Sequence, residues 1–519
     1  MVPNQGSLTR RKFVGRSLVA ASALAAGPAL AWRSRAVGSD GMAHSGRHVY
    51  PLAMCSNGSI LANRHYVTCM LAAGAPLCRI DMSFGMVRPT PEPNPDKWNW
   101  QGMEQVRAIR KKYPHLKFSP ILGYCPSWAA DPAYARWPGG PNSGLQRGVH
   151  VRPVNAAGNL FGQFVYETVR RYGDVVDCWE SWNEPDLGGH YFFKGDGADF
   201  MPYQRAFYLA AKMADPKCTA LFAGLSYRTV EGYLAVHHLK PPTPYPAKSC
   251  FFEQYLQAVV KDPRAARHNH YFDVMNQHSY SRATDLYDYA MVDLKLIHHY
   301  LRQSKPIWFT ETGFPDTGGI FGGTPDQYCD YVLQSWAWAA LAGVQKLFHF
   351  QLDNSNGLGL YAGGPANGGL GNPKPALTTW TDVLVAEFAN ATLVKQLHGH
   401  AGVGLLHGNS PYSSTWRTGY NLFEFQNTAA RKRVFMAFAD SRRAVLIAIP
   451  AKAKFATLVD RHNHRSRINA TGGFYHLNLA GATNEAGWPA DKTNPAAVAL
   501  GKPEHLVGGA TMVVVENMA

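Results

Sequence analysis

The segment 176-VDCWESWNEPD-186 places a short apolar run directly before a group of acidic and amide side chains. The later segment 306-PIWFTETGF-314 has the same form, with an acid, Glu311, at the end of its apolar run. Runs of this length are typical of buried β-strands, and polar groups at their carboxyl ends are typical of functional sites in parallel sheets. Both segments therefore predict central strands that end at a functional edge.

Six further runs bring the number of predicted strands before residue 390 to eight. The strands are expected at His48–Met54, Pro76–Met82, Phe118–Tyr124, Val176–Trp182, Ala220–Leu225, Phe272–Tyr280, Ile307–Glu311 and Val344–Gln351. Segments with helical spacing of apolar residues lie between them, as at Leu160–Tyr172, Gln204–Ala214, Tyr287–Leu301 and Asp326–Ala342. Eight alternating units predict an α/β fold, a (β/α)8 barrel. An open doubly wound sheet would need a glycine-rich first turn, whereas Gly58 alone follows the first strand.

Short runs separated by turns dominate the chain beyond about residue 390. They lie at Asn421–Phe425, Val434–Phe438, Ala444–Ile449, Ala456–Asp460, Phe474–Leu479 and Thr511–Val515. This pattern, without intervening helices, predicts a β-sandwich packed beside the barrel. The predicted organisation is a leader over residues 1–31, a catalytic barrel over residues 47–388 and an accessory β-sandwich over residues 389–519.

The N-terminus, 9-TRRKFVGRSLVAASALAAGPALA-31, joins a basic region to an alanine-rich apolar stretch that ends in small residues. This form is typical of an export signal, with cleavage expected after Ala31. The pair Arg10-Arg11 favours a twin-arginine signal, and a plain secretory signal is the alternative. The stretch is too short for a permanent transmembrane helix. We expect a bacterial protein that is periplasmic or secreted, without stable membrane insertion.

Composition and charge restrict the class of protein. With 46% hydrophobic and 17% charged residues, the chain should fold into packed domains. The net charge is +15, but the dense basic runs are limited to Arg10–Lys12 and Arg431–Arg433, so we expect no nucleic-acid binding and leave an acidic glycan open. The eight cysteines lack C-x-x-C spacing, which argues against a structural zinc site. No motif indicates a metal or an organic cofactor, and we expect neither.

Glu184 and Glu311 are the candidate catalytic pair, because they follow the fourth and seventh predicted strands. Catalytic groups of a (β/α)8 barrel collect at the carboxyl ends of its strands, so folding would bring these two acids together. Strand alternation places Glu311 on the face of Ile307 and Phe309, where an unused acid would be costly. Two carboxyl groups about 5–5.5 Å apart can cleave a glycosidic bond with retention. Surface glutamates at loop starts are the alternative.

The motif Trp182-Asn183-Glu184-Pro185, followed later by Thr310-Glu311, resembles the acid/base and nucleophile signatures of glycoside hydrolase clan A. The resemblance covers the whole predicted barrel and is strongest to family 39, with family 5 second. It implies that Glu184 is the general acid/base and Glu311 the nucleophile. It also implies that Asn183 binds the sugar 2-hydroxyl, a contact that strengthens in the transition state.

Four further residues are expected at the sugar site. The resemblance implies that Tyr280, on the sixth strand, bonds the nucleophile, and that Arg79, on the second, points inward toward the same acid. On the sixth strand, His278 shares a face with Asn276 and Tyr280. It is expected to contact the substrate or the acid/base, with a satisfied core histidine as the alternative. Trp128, which follows the third strand, is expected either to stack on a sugar or to pack in the core.

The eighth strand departs from the clan pattern, which often has a tryptophan floor there. This strand offers only His349 or Phe350 at that place. The shape of the sugar site therefore cannot be copied from a family.

The resemblance implies a retaining glycoside hydrolase that acts on a β-linked glycoside or polysaccharide, with a carbohydrate as its partner. A transglycosylase on the same site would differ only in the acceptor. A non-catalytic carbohydrate-binding barrel and a polyanion-binding structural protein are alternatives from other classes. The sugar, exo or endo action and the oligomeric state stay open, and a long loop expected over Tyr227–Phe252 would shape the cleft.

Overall fold

The computed structural model describes residues 50–56, 59–130, 146–176, 178–187, 192–239, 249–280, 282–316, 323–354, 357–364, 369–399, 419–441, 443–482 and 507–518. The predicted leader lies outside these described residues. Within them, no helix combines the length and the apolar character that crossing a membrane requires.

Eight strands form the first sheet, and each overlaps a predicted run. Their bounds are β1 Tyr50–Cys55, β2 Leu77–Asp81, β3 Lys117–Ile121, β4 Cys178–Glu180, β5 Thr219–Leu221, β6 Met275–Ser279, β7 Ile307–Thr312 and β8 Lys346–His349. Their hydrogen-bonded order is β5-β4-β3-β2-β1-β8-β7-β6, with every pair parallel. Parallel bridges join Leu221 to Val274 and Leu225 to Gln277, between the two edge strands. The sheet therefore closes on itself, and the predicted (β/α)8 barrel is confirmed.

The inner face of the barrel changes from apolar to polar toward the carboxyl ends of the strands. A buried apolar cluster fills the interior and includes Leu77, Cys178 and Val274. The residues two positions further along these strands are buried and polar: Arg79, Glu180 and Asn276. Because side chains alternate along a strand, each of them shares the inner face with its apolar neighbour. The polar end of the barrel is where the candidate site lies.

Helices alternate with the strands and pack outside the sheet. They span Ser59–Ala62, Arg64–Ala72, Phe84–Val87, Gln101–Lys112, Leu160–Tyr172, Gly197–Ala214, Tyr227–Val236, Phe251–Val259, Asp285–Leu301, Pro325–Leu341, Pro375–Thr378 and Ala386–Phe388. A π-helical stretch covers Thr379–Val385, and short 3-10 segments lie at Pro95–Lys97, Ser127–Ala129 and Ala266–Tyr271. The four predicted helices are confirmed. The loop predicted over Tyr227–Phe252 is wrong at both ends. The Ser226 side chain accepts from the Arg228 N–H and caps the helix Tyr227–Val236, and another helix begins at Phe251. Residues 240–248 of the predicted loop lie outside the described residues.

Eight antiparallel strands follow the barrel within the described ranges. They are β9 Thr392–His398, β10 Tyr420–Asn427, β11 Lys432–Ala439, β12 Val445–Pro450, β13 Phe455–Asp460, β14 Arg465–Asn469, β15 Phe474–Leu479 and β16 Met512–Asn517. Six form one sheet, β14-β13-β16-β11-β10-β9, and β12 pairs with β15 in another. Phe435, Ile447 and Tyr475 belong to one core between the sheets, so the predicted β-sandwich is confirmed. Strands β9 and β14 were not predicted, because they lack buried alternating side chains.

The sandwich packs against the barrel helix Pro325–Leu341. Trp336 of this helix lies 4.8 Å from the Phe425 ring of β10, measured between ring centroids. Gln334 Nε2 donates to the Gly509 carbonyl over 3.1 Å, and Arg461 pairs with Asp330 over 2.6 Å. Apolar packing and buried polar contacts together join the two parts.

Candidate active site

A β-bulge in β7 turns Glu311 into the barrel. Ile307 and Phe309 belong to the core outside the sheet, whereas Trp308 belongs to the cluster inside it. The register of β7 against both neighbouring strands shifts by one residue after Phe309. The extra residue, Thr310, reverses the alternation, which is how a bulge redirects a side chain. The prediction that Glu311 shares a face with Ile307 and Phe309 is therefore wrong, and the bulge is what makes this acid available inside the barrel.

Glu311 accepts hydrogen bonds on both carboxylate oxygens. Arg79 Nη1 donates to Oε1 over 2.6 Å, and the Tyr280 hydroxyl donates to Oε2. Arg79 and Glu311 are each at most 3% exposed, so the ion pair is shielded from water. Two donors, one of them charged, stabilise the ionised form of the carboxylate. The structure thus brings Arg79 and Tyr280 to the acid that sequence analysis assigned to them.

Arg79 also binds Glu180, a residue to which sequence reasoning assigned no role. Its Nε and Nη2 atoms each donate to one Glu180 oxygen over 2.7 Å, and Nη2 donates to Asn183 Oδ1 over 2.9 Å. Burial alone would lower the pKa of Arg79, but Glu180 and Glu311 raise it well above its usual value. The signal in the sequence was an acid on the inner face of β4, since a buried charge needs a partner.

Glu184 follows β4 with a left-handed backbone, at a φ of 42°. Its N–H donates to the Gly224 carbonyl over 2.8 Å, and Asn183 forms a parallel bridge with the same glycine. Glu184 Oε1 lies 3.0 Å from His278 Nδ1. A Cβ on Gly224 would lie only 2.1 Å from His278 Nε2, so glycine is needed to leave room for the ring. Of the two alternatives for His278, the geometry therefore favours contact with the acid.

A second row of polar groups lies behind His278. Its Nε2 is 3.1 Å from Thr310 Oγ1, and this hydroxyl is 2.8 Å from Asn276 Oδ1. The Cys55 thiol donates to the Thr310 carbonyl over 3.0 Å. Sequence reasoning placed Asn276 on the face of His278 but gave neither it, Thr310 nor Cys55 a role. Contacts between strands distant in sequence leave no local signal, so only the inward face of Asn276 was predictable.

The two catalytic candidates converge. One carboxylate oxygen of Glu184, one of Glu311 and a ring nitrogen of His278 all lie within 4.8 Å of one another, and all three side chains are buried. Retaining glycosidases hold their carboxyl groups about 5–5.5 Å apart and inverting ones about 6.5–9.5 Å. In this arrangement one acid can attack a carbon atom directly while the other acid protonates the oxygen that leaves that carbon.

The same three side chains are the one group in the described ranges whose ligand atoms lie close enough to share a metal ion. Glu311, however, already pairs with the Arg79 guanidinium over 2.6 Å. This cation supplies positive charge beside Glu311 of the kind that a metal ion would otherwise bring. A metal-free, cofactor-free site stays a prediction.

Trp128 contacts other groups than the carboxylates in the described structure. Its indole Nε1 donates to the Arg88 carbonyl over 3.1 Å, and the Arg88 guanidinium lies 4.7 Å from its ring centroid. Phe84 meets the same ring edge-on at 5.7 Å. These contacts agree with the packing alternative for Trp128 rather than with a position beside the acids.

The two candidates from the predicted eighth strand, His349 and Phe350, point in different directions. The His349 ring stacks on Tyr328 at 5.6 Å and contacts Trp380 at 5.5 Å, on the side of the helices. Phe350 meets the Tyr280 ring edge-on at 5.8 Å. Because Tyr280 bonds the candidate nucleophile, Phe350, which directly follows β8, is the candidate that borders the site.

Tyr124 at the end of the β3 region is a further neighbour that sequence reasoning did not select. It has a left-handed φ of 64° and meets the Trp182 ring edge-on at 5.7 Å. Burial raises the pKa of the Tyr124 hydroxyl well above its usual value, and the charge of Asp81 raises it further, while the charge of Arg79 lowers it. It is therefore a neutral group at pH 7.

Comparison with known proteins identifies the fold. No protein-family model matches the chain, and no curated protein matches its sequence. Solved structures do match: a family 39 glycoside hydrolase from the gut symbiont Bacteroides cellulosilyticus WH2 has a TM-score of 0.57 at 15% identity, over 90% of this chain and 81% of that one. The chain has the fold of a family 39 glycoside hydrolase.

Two other solved structures have a similar fold. A family 39 β-xylosidase from Caulobacter crescentus has a TM-score of 0.54 at 12% identity, over 91% of this chain and 97% of that one. A family 30 endoxylanase from Clostridium papyrosolvens C71 has a TM-score of 0.51 at 12% identity, over 91% of this chain and 95% of that one. The resemblance to family 39 that the two motifs carry is thus matched by the fold.

Proposed function

We propose that the protein is a retaining glycoside hydrolase that cleaves a β-linked glycoside or polysaccharide by double displacement. The observation that carries this proposal is the convergence of Glu184 and Glu311, from the ends of β4 and β7, to within 4.8 Å. A metal or cofactor is not required for this chemistry, because one acid supplies the proton and the other the nucleophile. Likeness in fold to glycoside hydrolases supports the same class.

In the first step, Glu311 attacks the anomeric carbon and forms a glycosyl ester, while Glu184 donates a proton to the departing oxygen. Arg79 and Tyr280 bond the two Glu311 oxygens, which keeps the nucleophile ionised and fixes its direction. Among the described residues Glu184 has no guanidinium partner, and it contacts His278 instead. The two acids thus sit in different surroundings, as their different roles require.

In the second step, Glu184 removes a proton from water, and the resulting nucleophile cleaves the ester with net retention. Asn183 is assigned to the sugar 2-hydroxyl. Its Oδ1 already accepts from Arg79 over 2.9 Å, so its amide NH2 is the group left to donate to the sugar. A bond made at this position strengthens as positive charge develops on the sugar ring.

β-Xylosides are the first substrates to test, because the solved structures of similar fold include a β-xylosidase and an endoxylanase. We also propose that the protein is exported to the periplasm or the medium, because residues 1–31 resemble an export signal. The proposed catalytic barrel spans residues 47–388, and the proposed accessory domain spans residues 389–519.

The decisive experiment combines a substrate screen with labelling of the nucleophile. Aryl glycosides and polysaccharides are screened, the anomeric configuration of the first product is read by NMR, and a 2-deoxy-2-fluoro glycoside traps the ester. We expect retention, a label on Glu311, and no turnover by Glu311→Gln. Glu387→Gln is the matched control, because Glu387 is another buried, ion-paired glutamate but lies at the sandwich interface.

Three results would contradict the proposal: inversion, a label on another residue, or wild-type turnover by Glu311→Gln. The alternatives have their own outcomes. Transfer of the glycosyl group to a sugar acceptor in preference to water would indicate a transglycosylase. Binding across the panel without cleavage would indicate a carbohydrate-binding protein.

A further inference from the structure

We infer that Thr310 is a positioning residue for both acids. As the extra residue of the β7 bulge it turns Glu311 inward, and through its hydroxyl it fixes the tautomer of His278 and so holds a proton at Glu184. The inference rests on the proposed function, since it explains how the general acid is kept protonated.

Every polar group of Thr310 is bound. Its backbone N–H donates to Asn276 Oδ1 over 3.2 Å, and its hydroxyl lies 2.8 Å from the same oxygen. Its carbonyl accepts from the Cys55 thiol over 3.0 Å. Thr310 is fully buried, so these bonds are not exchanged with water. Side chains from β6 and β1 therefore pin the bulge that aims Glu311.

The direction of each hydrogen bond follows from the backbone. The Thr310 N–H can only donate, so Asn276 presents its oxygen here and its amide NH2 elsewhere, toward the Phe222 carbonyl at 3.4 Å. The Thr310 hydroxyl has a single proton, and this proton must go to Asn276 Oδ1. Its oxygen can then only accept from His278, 3.1 Å away. His278 therefore carries a proton on Nε2.

This tautomer determines what happens on the other side of the ring. With the proton on Nε2, neutral His278 presents the Nδ1 lone pair to Glu184 Oε1, 3.0 Å away, and to Glu311 Oε2, 3.8 Å away. Two acceptors at 3.0 Å repel unless a proton lies between them. The pair of Glu184 and His278 must therefore hold one proton in the resting site. That proton is the one that the first step delivers to the leaving oxygen.

Removing the Thr310 hydroxyl should change the tautomer of His278. Without its acceptor, an Nε2–H group would face an apolar side chain, and a buried unpaired donor is costly. His278 would gain by releasing the Nε2 proton to solvent and keeping the shared proton on Nδ1, where it can donate to an ionised Glu184. The site would then lack its acid proton while keeping Glu311, Arg79 and the bulge in place.

The test varies the leaving group, because this separates a loss of general acid catalysis from other losses of activity. Aryl glycosides of the preferred sugar are compared as a pair, one with phenol and one with 2,4-dinitrophenol as leaving group. Dinitrophenolate departs without protonation, whereas phenolate needs the acid. General acid catalysis contributes about 10²–10⁴-fold. We expect Thr310→Val to lower kcat/KM for the phenyl glycoside about 100-fold and to change the dinitrophenyl value by less than about 3-fold.

Two further variants complete the test. Thr310→Ser keeps the hydroxyl and should restore most of the phenyl glycoside activity. Thr312→Val is the matched control: Thr312 is buried beside the same bulge, but its hydroxyl donates to the Phe348 carbonyl over 2.8 Å and not toward His278. Thr312→Val should change kcat/KM for the two aryl glycosides by a similar factor, because it causes only a general loss of packing.

The inference is overturned if Thr310→Val lowers kcat/KM equally for both substrates, or if kcat/KM for the phenyl glycoside stays at the wild-type value. Failure of the proposed function would appear earlier and differently. The wild-type protein would then show no retention and no label on Glu311, before any variant is compared.

Discussion

Replacing Gly224 with alanine should disable the acid by displacing His278. The added Cβ would lie 2.1 Å from His278 Nε2, whereas ordinary contacts begin at 3.4 Å, so the ring must move by about 1.3 Å. The ring is fully buried and its other nitrogen is 3.0 Å from Glu184. A misplacement of about 1 Å near the chemistry can cost about 10²-fold in rate. We therefore expect kcat/KM to fall about 100-fold, equivalent to about 2.7 kcal/mol.

Steady-state kinetics on a phenyl glycoside measure this loss, and thermal unfolding checks that the variant folds. Overpacking of this kind costs about 1–3 kcal/mol, which a chain of this size tolerates. Gly85→Ala is the matched control, because its added Cβ meets only Pro126 at an ordinary 3.7 Å. It should retain wild-type activity.

A double-mutant cycle with His278→Ala decides between displacement of His278 and a general disturbance of the strand. Once the ring is absent, a methyl group at position 224 has space, so Gly224→Ala should add little to the loss caused by His278→Ala. Fully additive losses in the double variant would refute the reasoning, as would unchanged activity of Gly224→Ala alone.

Two other predictions concern buried ionisable side chains. Arg79→Lys keeps the charge but replaces the guanidinium, which bonds Glu180, Asn183 and Glu311, with a single ammonium group. We expect kcat/KM, measured by steady-state kinetics, to fall at least about 100-fold. The free energy of unfolding, measured by urea titration, should fall by about 3 kcal/mol. Unchanged values for both quantities would contradict the assigned role. Asp293 is fully buried, neither of its oxygens has a partner among the described residues, and burial raises its pKa well above the usual value. The folded state thus holds the proton more tightly than the unfolded one, so wild-type stability should fall by about 1.4 kcal/mol per pH unit above about pH 4 until the folded-state pKa is reached. Asp293→Asn removes this loss and should be more stabilising at pH 8 than at pH 5 in thermal unfolding, whereas equal pH dependence in both proteins would contradict the reasoning.

Much of the fold was predictable because its signals are local. A buried parallel strand is a short apolar run, and a helix on its surface shows apolar residues at helical spacing, so all eight barrel strands could be located. The strands without such signals were missed: β14 is almost entirely exposed and reads as polar. The helix Tyr227–Val236 was hidden in a segment whose prolines and histidines favour a loop, and its start depends on one capping serine.

By itself the sequence determined the strand order along the barrel and the two acids at the ends of the fourth and seventh strands, because chain connectivity and apolar periodicity decide both. Only the tertiary structure decided which way Glu311 points, since an inserted residue such as Thr310 is recognised by the register against neighbouring strands. The tertiary structure also decided the pairing of Arg79 with Glu180 and the ring nitrogen of His278 that carries the proton. These depend on distances between groups on separate strands, and spacing along the chain carries no information about such distances.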